Sequence, residues 1–336
     1  MRGEPRARDV RVKRTLVFLA AAVIGFWTCV FVDSAQAAEQ LLGPLRVAIT
    51  VDDLPAHGDL VAGMIRMDIV RGVLKALKDN GVPQAYGFAN GYDIGAEPDL
   101  IDVLKEWLKA GYPLGNHTYS HADLDKVTAQ AYITDIEKMD RLLQTLTSVS
   151  PLIEERHVFR YPYLREGYPL EKRDAVRTYL FNIGYTIAEV TVDYEDWAWT
   201  NAYARCLIQQ DEKSIAWLKG HIVDAAEYRL RASKTVSQIL FHRDIPQILL
   251  VHDGAFDAVM LDTIMKDFRS KGVTFITLDE ALADPAYKID PNRAFNGGRT
   301  FLEQIAEARN VNIEKFDNVT YAPDRLETVC RQVRRK

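Results

Sequence analysis

Two hydrophobic rhythms alternate along the chain. Leu45 to Val51 (LRVAITV) is an apolar, β-branched run of strand length, and Met64 to Lys78 then places apolar residues at helical spacing up to the stop at Asn80-Gly81. Gln84 to Ala89 reads as a strand, and Pro98 opens a helix that runs to Lys109 and halts at Gly111. Tyr112 to Gly115 is the next strand, followed by an amphipathic helix over Thr128 to Leu146 with Thr128 as its cap. The alternation continues with strands at His157 to Phe159, Thr186 to Val192, Gln247 to Val251 and Val273 to Thr277. Between them lie helices at Pro169 to Phe181, across 201–243 (two helices), at Val259 to Arg269 and from Asp279. Seven strand-like runs separated by helices predict one α/β domain. Its parallel sheet would have right-handed crossovers, either open and doubly wound or closed into a barrel.

No Pro/Gly/Ser linker and no internal repeat divides residues 45–283, and neither G-x-G-x-x-G nor a P-loop occurs, so nucleotide-binding versions of the fold lose ground. Residues 284–336 carry one helical pattern, Thr300 to Ala308, and are expected to pack on the outside. The first 37 residues differ from the rest. Arg11, Lys13 and Arg14 precede an apolar run from Leu16 to Val32, and Ala35-Gln36-Ala37 supplies an A-x-A site, the pattern of a secretory signal cleaved after Ala37. The run is also just long enough to span a bilayer, so a retained N-terminal anchor is the alternative. The expectation is a secreted or periplasmic protein.

Composition adds little beyond an ordinary globular class: 48% hydrophobic and 26% charged. The first 37 residues hold six Lys/Arg and three Asp/Glu, so without them the net charge moves from −5 to −8. The one remaining basic block, Arg331 to Lys336, is a solvated end, which argues against nucleic-acid binding. Cys206 and Cys330 are free to pair in an oxidising compartment, but two cysteines are no disulfide framework, and neither belongs to a C-x-x-C zinc pattern.

The candidate chemistry sits where strand-like runs end. Asp52-Asp53, His117 to His121, Arg160, Asp196-Trp197 and His252 each follow such a run, and in a parallel barrel these ends share the face on which active sites are built. His117 and His121, four apart, would fall on one face of a helical turn, within reach of a single ion. A carboxylate from Asp52-Asp53 would complete that site. Adjacent strand residues point to opposite faces, so both aspartates can serve only where the strand ends and twists, and Pro55 supports a break there.

These residues resemble, in order, the five motifs of the polysaccharide deacetylase family (the NodB homology domain, carbohydrate esterase family 4). Thr50-Val51-Asp52-Asp53 is similar to T-F-D-D, His117-Thr118-Tyr119-Ser120-His121 to H-[ST]-x-x-H, and Arg160-Tyr161-Pro162-Tyr163 to R-x-P-Y. Asp193 to Trp197 is similar to D-x-x-D-W and Leu250-Val251-His252 to L-x-H. Leu54-Pro55 and the long helical stretch at 201–243 depart from the plainest members and leave the substrate open.

The resemblance implies a distorted (β/α)7-type barrel as a single catalytic domain over residues 44–283, between a signal segment (1–37) and a C-terminal extension (284–336). It implies Asp53, His117 and His121 as ligands of one divalent metal, Zn2+ before Co2+ or Ni2+, with Asp52 as general base and His252 as general acid. Asp196 would orient His252, with Asp193 as the alternative. Arg160 would hold Asp52, the Tyr163 backbone N–H would face the oxyanion, and Trp197 would line the sugar groove. His57, His157, His221 and His242 receive no role; His57, in the loop after Asp53, could touch substrate but reads first as a solvated loop histidine. The expected activity is that of a monomeric, metal-dependent hydrolase that removes N-acetyl groups from N-acetylglucosamine-containing glycan such as peptidoglycan or chitin. The rivals are an O-acetyl esterase on acetylated polysaccharide and a non-catalytic carbohydrate-binding member of the fold.

Overall fold

The computed structural model describes residues 42–150, 157–316 and 323–331. The proposed signal segment and residues 332–336 of the basic end lie outside the described residues.

The apolar run that opens the alternation becomes the central strand β1 (Arg46–Leu54). In chain order there follow α1 (Arg66–Asp79), β2 (Ala85–Ala89), α2 (Tyr92–Ala96), α3 (Ile101–Lys109) and β3 (Leu114–Asn116). Next come α4 (Ala129–Gln144), β4 (Val158–Phe159), α5 (Leu170–Asn182), β5 (Thr186–Ile187) and β6 (Val192–Asp193). The chain continues through α6 (Asp196–Ile208), α7 (Glu212–Phe241), β7 (Gln247–His252), α8 (Ala255–Ser270), β8 (Thr274–Ile276) and α9 (Leu278–Leu282). Two further helices are α10 (Phe301–Ala308) and α11 (Pro323–Thr328). The Thr128 hydroxyl accepts from the Ala131 N–H and caps α4, as its position before the amphipathic pattern predicts.

Every strand pair is parallel, and the sheet runs β5-β4-β3-β2-β1-β7-β6. β8 pairs with the first residues of β1, Arg46–Ala48, while β2 takes up pairing from Ile49 onward, so the two share one edge of β1 end to end. The run predicted as a single strand over Thr186 to Val192 is in fact β5 and β6, at opposite ends of the path. Hydrophobic pattern registers burial and is blind to a change of pairing partner, which is why the two read as one.

That break shows how the sheet is shaped. Seven strands laid flat would put the outer two roughly 29 Å apart. Ile187 and Val192 are separated by a chain that reaches about 18 Å at full stretch. The sheet must therefore curl until its two ends nearly meet, a distorted barrel with a seam across Ala188–Thr191. Side chains sort accordingly. Val47, Ile49 and Val51 pack outward with α1 and α8, while Ala48, Tyr86, Phe88, Val158 and Ile248 form a separate cluster enclosed by the curl. Alternation along β1 continues the inward row through Thr50 to Asp52, at the mouth.

Candidate active site

Asp52 is buried and lies in register with His252 across the β1–β7 pair. Arg160, which follows β4, is also buried. Its Nη1 donates to both oxygens of Asp52 at 3.1 Å, its Nη2 donates to the Thr50 hydroxyl at 3.0 Å, and its Nε donates to the Ala188 carbonyl at 2.7 Å. The guanidinium lies 4.7 Å from the centre of the Phe88 ring. One buried cation thus ties β1 to the seam and fixes the Asp52 carboxylate on two oxygens.

By alternation Asp53 should point away from this mouth. Instead its φ is 63°, and the β1–β2 register shifts between Val51 and Leu54. The irregularity turns the Asp53 carboxylate to the same side as Asp52, which meets the requirement for a strand that ends and twists. The left-handed conformation is costly for an aspartate and persists because the surrounding contacts impose it.

His117 and His121 do not lie on a helical turn, contrary to expectation. The segment is an irregular bend with φ of 58° at Thr118 and 53° at His121, held where the Asn116 side-chain oxygen accepts from the Thr118 N–H and the Thr118 hydroxyl accepts from the Ala122 N–H. Spacing by four is compatible with a helix and with such a bend, so pattern alone does not separate them. The rings still meet, with centroids 5.0 Å apart. Asp53 Oδ1 is 3.1 Å from His121 Nε2 and 3.6 Å from His117 Nε2, and Asp52 Oδ2 is 3.7 Å from His117 Nε2.

The donor set suits a divalent cation. His117 Nδ1 faces the Arg160 carbonyl at 2.8 Å, and a carbonyl only accepts, so Nδ1 carries the proton and the Nε2 lone pair faces the carboxylates. Burial lowers the His117 pKa to about 4 against the opposing pull of Asp52 and Asp53, so the ring is neutral near pH 7. Asp53 is held well below the usual carboxylate range: burial alone would raise it, but the His57 hydrogen bond and the nearby imidazoles prevail. A neutral lone pair facing anionic oxygens calls for a positive charge between them. Asp53, His117 and His121 offer three ligand atoms within 4.8 Å of one another.

Across the mouth, the Asp196 carboxylate accepts from His252 Nδ1 at 2.8 Å and from the His252 backbone N–H at 2.6 Å. Asp193, the alternative partner, instead accepts from the Glu195 N–H at 2.8 Å. Burial would discharge the His252 imidazolium, but Asp196, with Asp53 and Asp52 behind it, raises its pKa to about 10. Burial similarly lifts Asp193 to about 6.

Asp52, Asp53, His117, His121 and His252 line one cavity of about 710 Å³, together with Tyr163 and Trp197. The Tyr163 ring stands edge-on to His121 at 4.4 Å, and its backbone φ of 58° marks a sharp turn after Pro162. Other wall residues carried no motif. Arg229 comes from α7, and Gly298, Arg299, Thr300 and Glu303 come from the C-terminal extension, which was expected to stay outside. Phe301 and Leu302 bury beside α7 and anchor this strap, and the Phe301 N–H donates to the Val190 carbonyl at the seam. The sequence reading placed only a helical pattern here, Thr300 to Ala308, and the Thr300–Glu303 capping box that starts this helix marks a helix end rather than a cavity wall.

A curled parallel α/β sheet with a His/Asp triad at the carboxyl mouth of its strands defines the class. The family model for polysaccharide deacetylase matches residues 42–188. A chitin deacetylase of Arthroderma benhamiae is 25% identical over 239 residues, covering 71% of this chain and 52% of the relative. The peptidoglycan-N-acetylglucosamine deacetylase PgdA of Listeria monocytogenes is 25% identical over 235 residues, covering 70% and 38%. The chain thus spans about half the length of the first relative and less of the second. Among solved structures, the chitin deacetylase from Colletotrichum lindemuthianum aligns with a TM-score of 0.46 at 22% identity, over 73% of this chain and 90% of that one.

Proposed function

We propose that this chain is an exported, metal-dependent hydrolase that removes acetyl groups from N-acetylglucosamine-containing glycan. The observation that carries the reading is the meeting of Asp53 with both imidazoles beside an Asp52 that Arg160 holds in place. The chitin and peptidoglycan deacetylases among the relatives support the choice of substrate class.

In this reading Asp53, His117 and His121 hold one divalent ion, zinc before cobalt or nickel. When bound, it supplies Lewis acidity toward the acetyl carbonyl and the attacking water. Asp52 accepts the proton of that water as it adds to the carbonyl carbon. The Tyr163 N–H faces the oxyanion, and His252, protonated and oriented by Asp196, donates to the departing nitrogen. The C–N bond breaks, and acetate and a free amine leave. Trp197 offers an exposed indole face to the sugar.

We also propose that residues 1–37 are a signal cleaved after Ala37, with 44–283 as the catalytic domain and 284–336 as an extension that helps to wall the cavity. The Cys206–Cys330 disulfide supports an oxidising compartment. Among the described residues no helix is long and apolar enough to cross a membrane.

The test is acetate release from chitin oligomers, peptidoglycan and acetylated xylan, with and without chelator. Release from the first two should vanish with chelator, return with zinc or cobalt, and be lost in Asp52→Asn while the metal stays bound. Release from acetylated xylan alone would favour an O-acetyl esterase, and none from any substrate a binding protein.

A further inference from the structure

His57 carries no motif, yet it is built into the site. It follows Asp53 by four residues, after a turn closed by the Ala56 N–H on the Asp53 carbonyl at 2.8 Å. Arg66 pins the loop from outside, with Nη1 on the His57 carbonyl and Nη2 on the Gly58 carbonyl, both at 2.8 Å. These contacts bring His57 Nδ1 to 2.8 Å from Asp53 Oδ2 and set the His57 ring 4.4 Å from that of His252, tilted by 35°.

The two oxygens of Asp53 are consequently divided. Oδ1 faces His117 and His121 and accepts from Asn90 Nδ2 at 3.3 Å, whereas Oδ2 is engaged by His57. A carboxylate left alone rotates and can offer either oxygen, or both, to a cation. A donor fixed on Oδ2 removes that freedom and leaves Oδ1 as the single ligand oxygen.

We infer that His57 is a positioning residue: its Nδ1–H holds Asp53 in a one-oxygen ligating orientation. The inference rests on the metal reading above. The same geometry bears on a second cluster, because Asp53, His57 and His252 also offer ligand atoms within 4.8 Å of one another. With His57 Nδ1 donating to Asp53 Oδ2 and His252 Nδ1 donating to Asp196, the two rings keep only their Nε2 atoms for a ligand and Oδ2 is already engaged, so one ion per chain is expected.

The experiment measures zinc content and zinc affinity, the latter by chelator competition, in the full chain and in three variants. His57→Ala removes donor and ring, His57→Phe keeps a ring without the donor, and His57→Asn keeps an N–H at the position of Nδ1. Thermal unfolding of the metal-free proteins checks that each is folded. The expected result is one zinc per native chain, affinity lower by about 10–100-fold in the Ala and Phe variants, and recovery of most of that loss in the Asn variant. Native-like affinity in a folded Phe variant overturns the inference and leaves the metal reading standing. Two zinc ions in the native chain, one of them lost with His57, also overturn it by making His57 a ligand. A native chain that takes up no divalent ion overturns the metal reading and the inference together.

Discussion

The Asp196 carboxylate holds His252 at two points, accepting from both the ring Nδ1–H and the backbone N–H. The first bond sets the tautomer and presents Nε2 to the cavity, and the second ties the carboxylate to the end of β7. Asp196→Asn keeps the size of the side chain but cannot accept at both points with two oxygens. We expect kcat for acetate release to fall by about 10²–10⁴-fold, the range of a lost acid–base group, with zinc content unchanged. Steady-state kinetics beside metal analysis checks this. A kcat within threefold of native would remove His252 from the role of acid or Asp196 from that of its partner.

The same pair sets a pH window for stability in the metal-free protein. His252 is raised from 6.5 to about 10, so its contribution is complete below 6.5 and disappears as pH rises through about 10. Asp196 is lowered from 3.8, burial being outweighed by His252, so its contribution is present above 3.8 and is lost as pH falls further. The unfolding free energy of the native chain relative to Asp196→Asn should therefore be largest between those limits and shrink toward zero above about 10. Denaturant titrations across that range read it directly. A difference independent of pH would mean that the pair is not ionic.

Strand ends were legible because apolar β-branched runs such as Gln247 to Val251 stop abruptly at ionisable residues, and burial on both faces leaves that signature. The convergence of Asp52, Arg160, Asp196 and His252 was legible for the same reason. Three features were not. Helix α2 carries Gly95 and is too short for a periodic signal. The break between β5 and β6 concerns pairing, which a one-dimensional pattern does not record. His57 and Gly298 reach the cavity through loop conformation, where residue type says little about direction.

Gly298 packs on the backbone of the Tyr163 turn, and a Cβ there would stand 2.2 Å from the Tyr163 carbonyl oxygen. Backbone cannot yield as a flexible side chain does, so Gly298→Ala must push the strap and the turn apart. That turn carries the N–H assigned to the oxyanion, and a displacement near 1 Å in such a group costs about 10²-fold. We expect kcat/KM to fall by that order while zinc affinity holds, because the atoms nearest a Cβ at Gly298 belong to Tyr163 and Leu164 and not to the proposed ligands Asp53, His117 and His121. Unchanged kinetics would show that the strap is only a passive cover.

Cys206 in α6 and Cys330, just after α11, form a disulfide with a sequence separation of 124. Arg205 Nε donates to the Val329 carbonyl beside it, so the bond reinforces a contact that side chains already make. Closing so long a loop restricts the unfolded chain more than the folded one, and its loss should cost about 2–4 kcal/mol. Thermal unfolding with and without reductant, repeated on Cys330→Ser, measures the effect. Reductant should lower the melting temperature of the native chain and leave that of the variant unmoved. An equal response in both would place the sensitivity elsewhere, and no response in the native chain would show that the bond contributes nothing to stability. Acetate release should survive reduction, because the residues proposed for catalysis and metal binding, Asp52, Asp53, His117, His121 and His252, are held by β1, β7 and the bend after β3 rather than by α11.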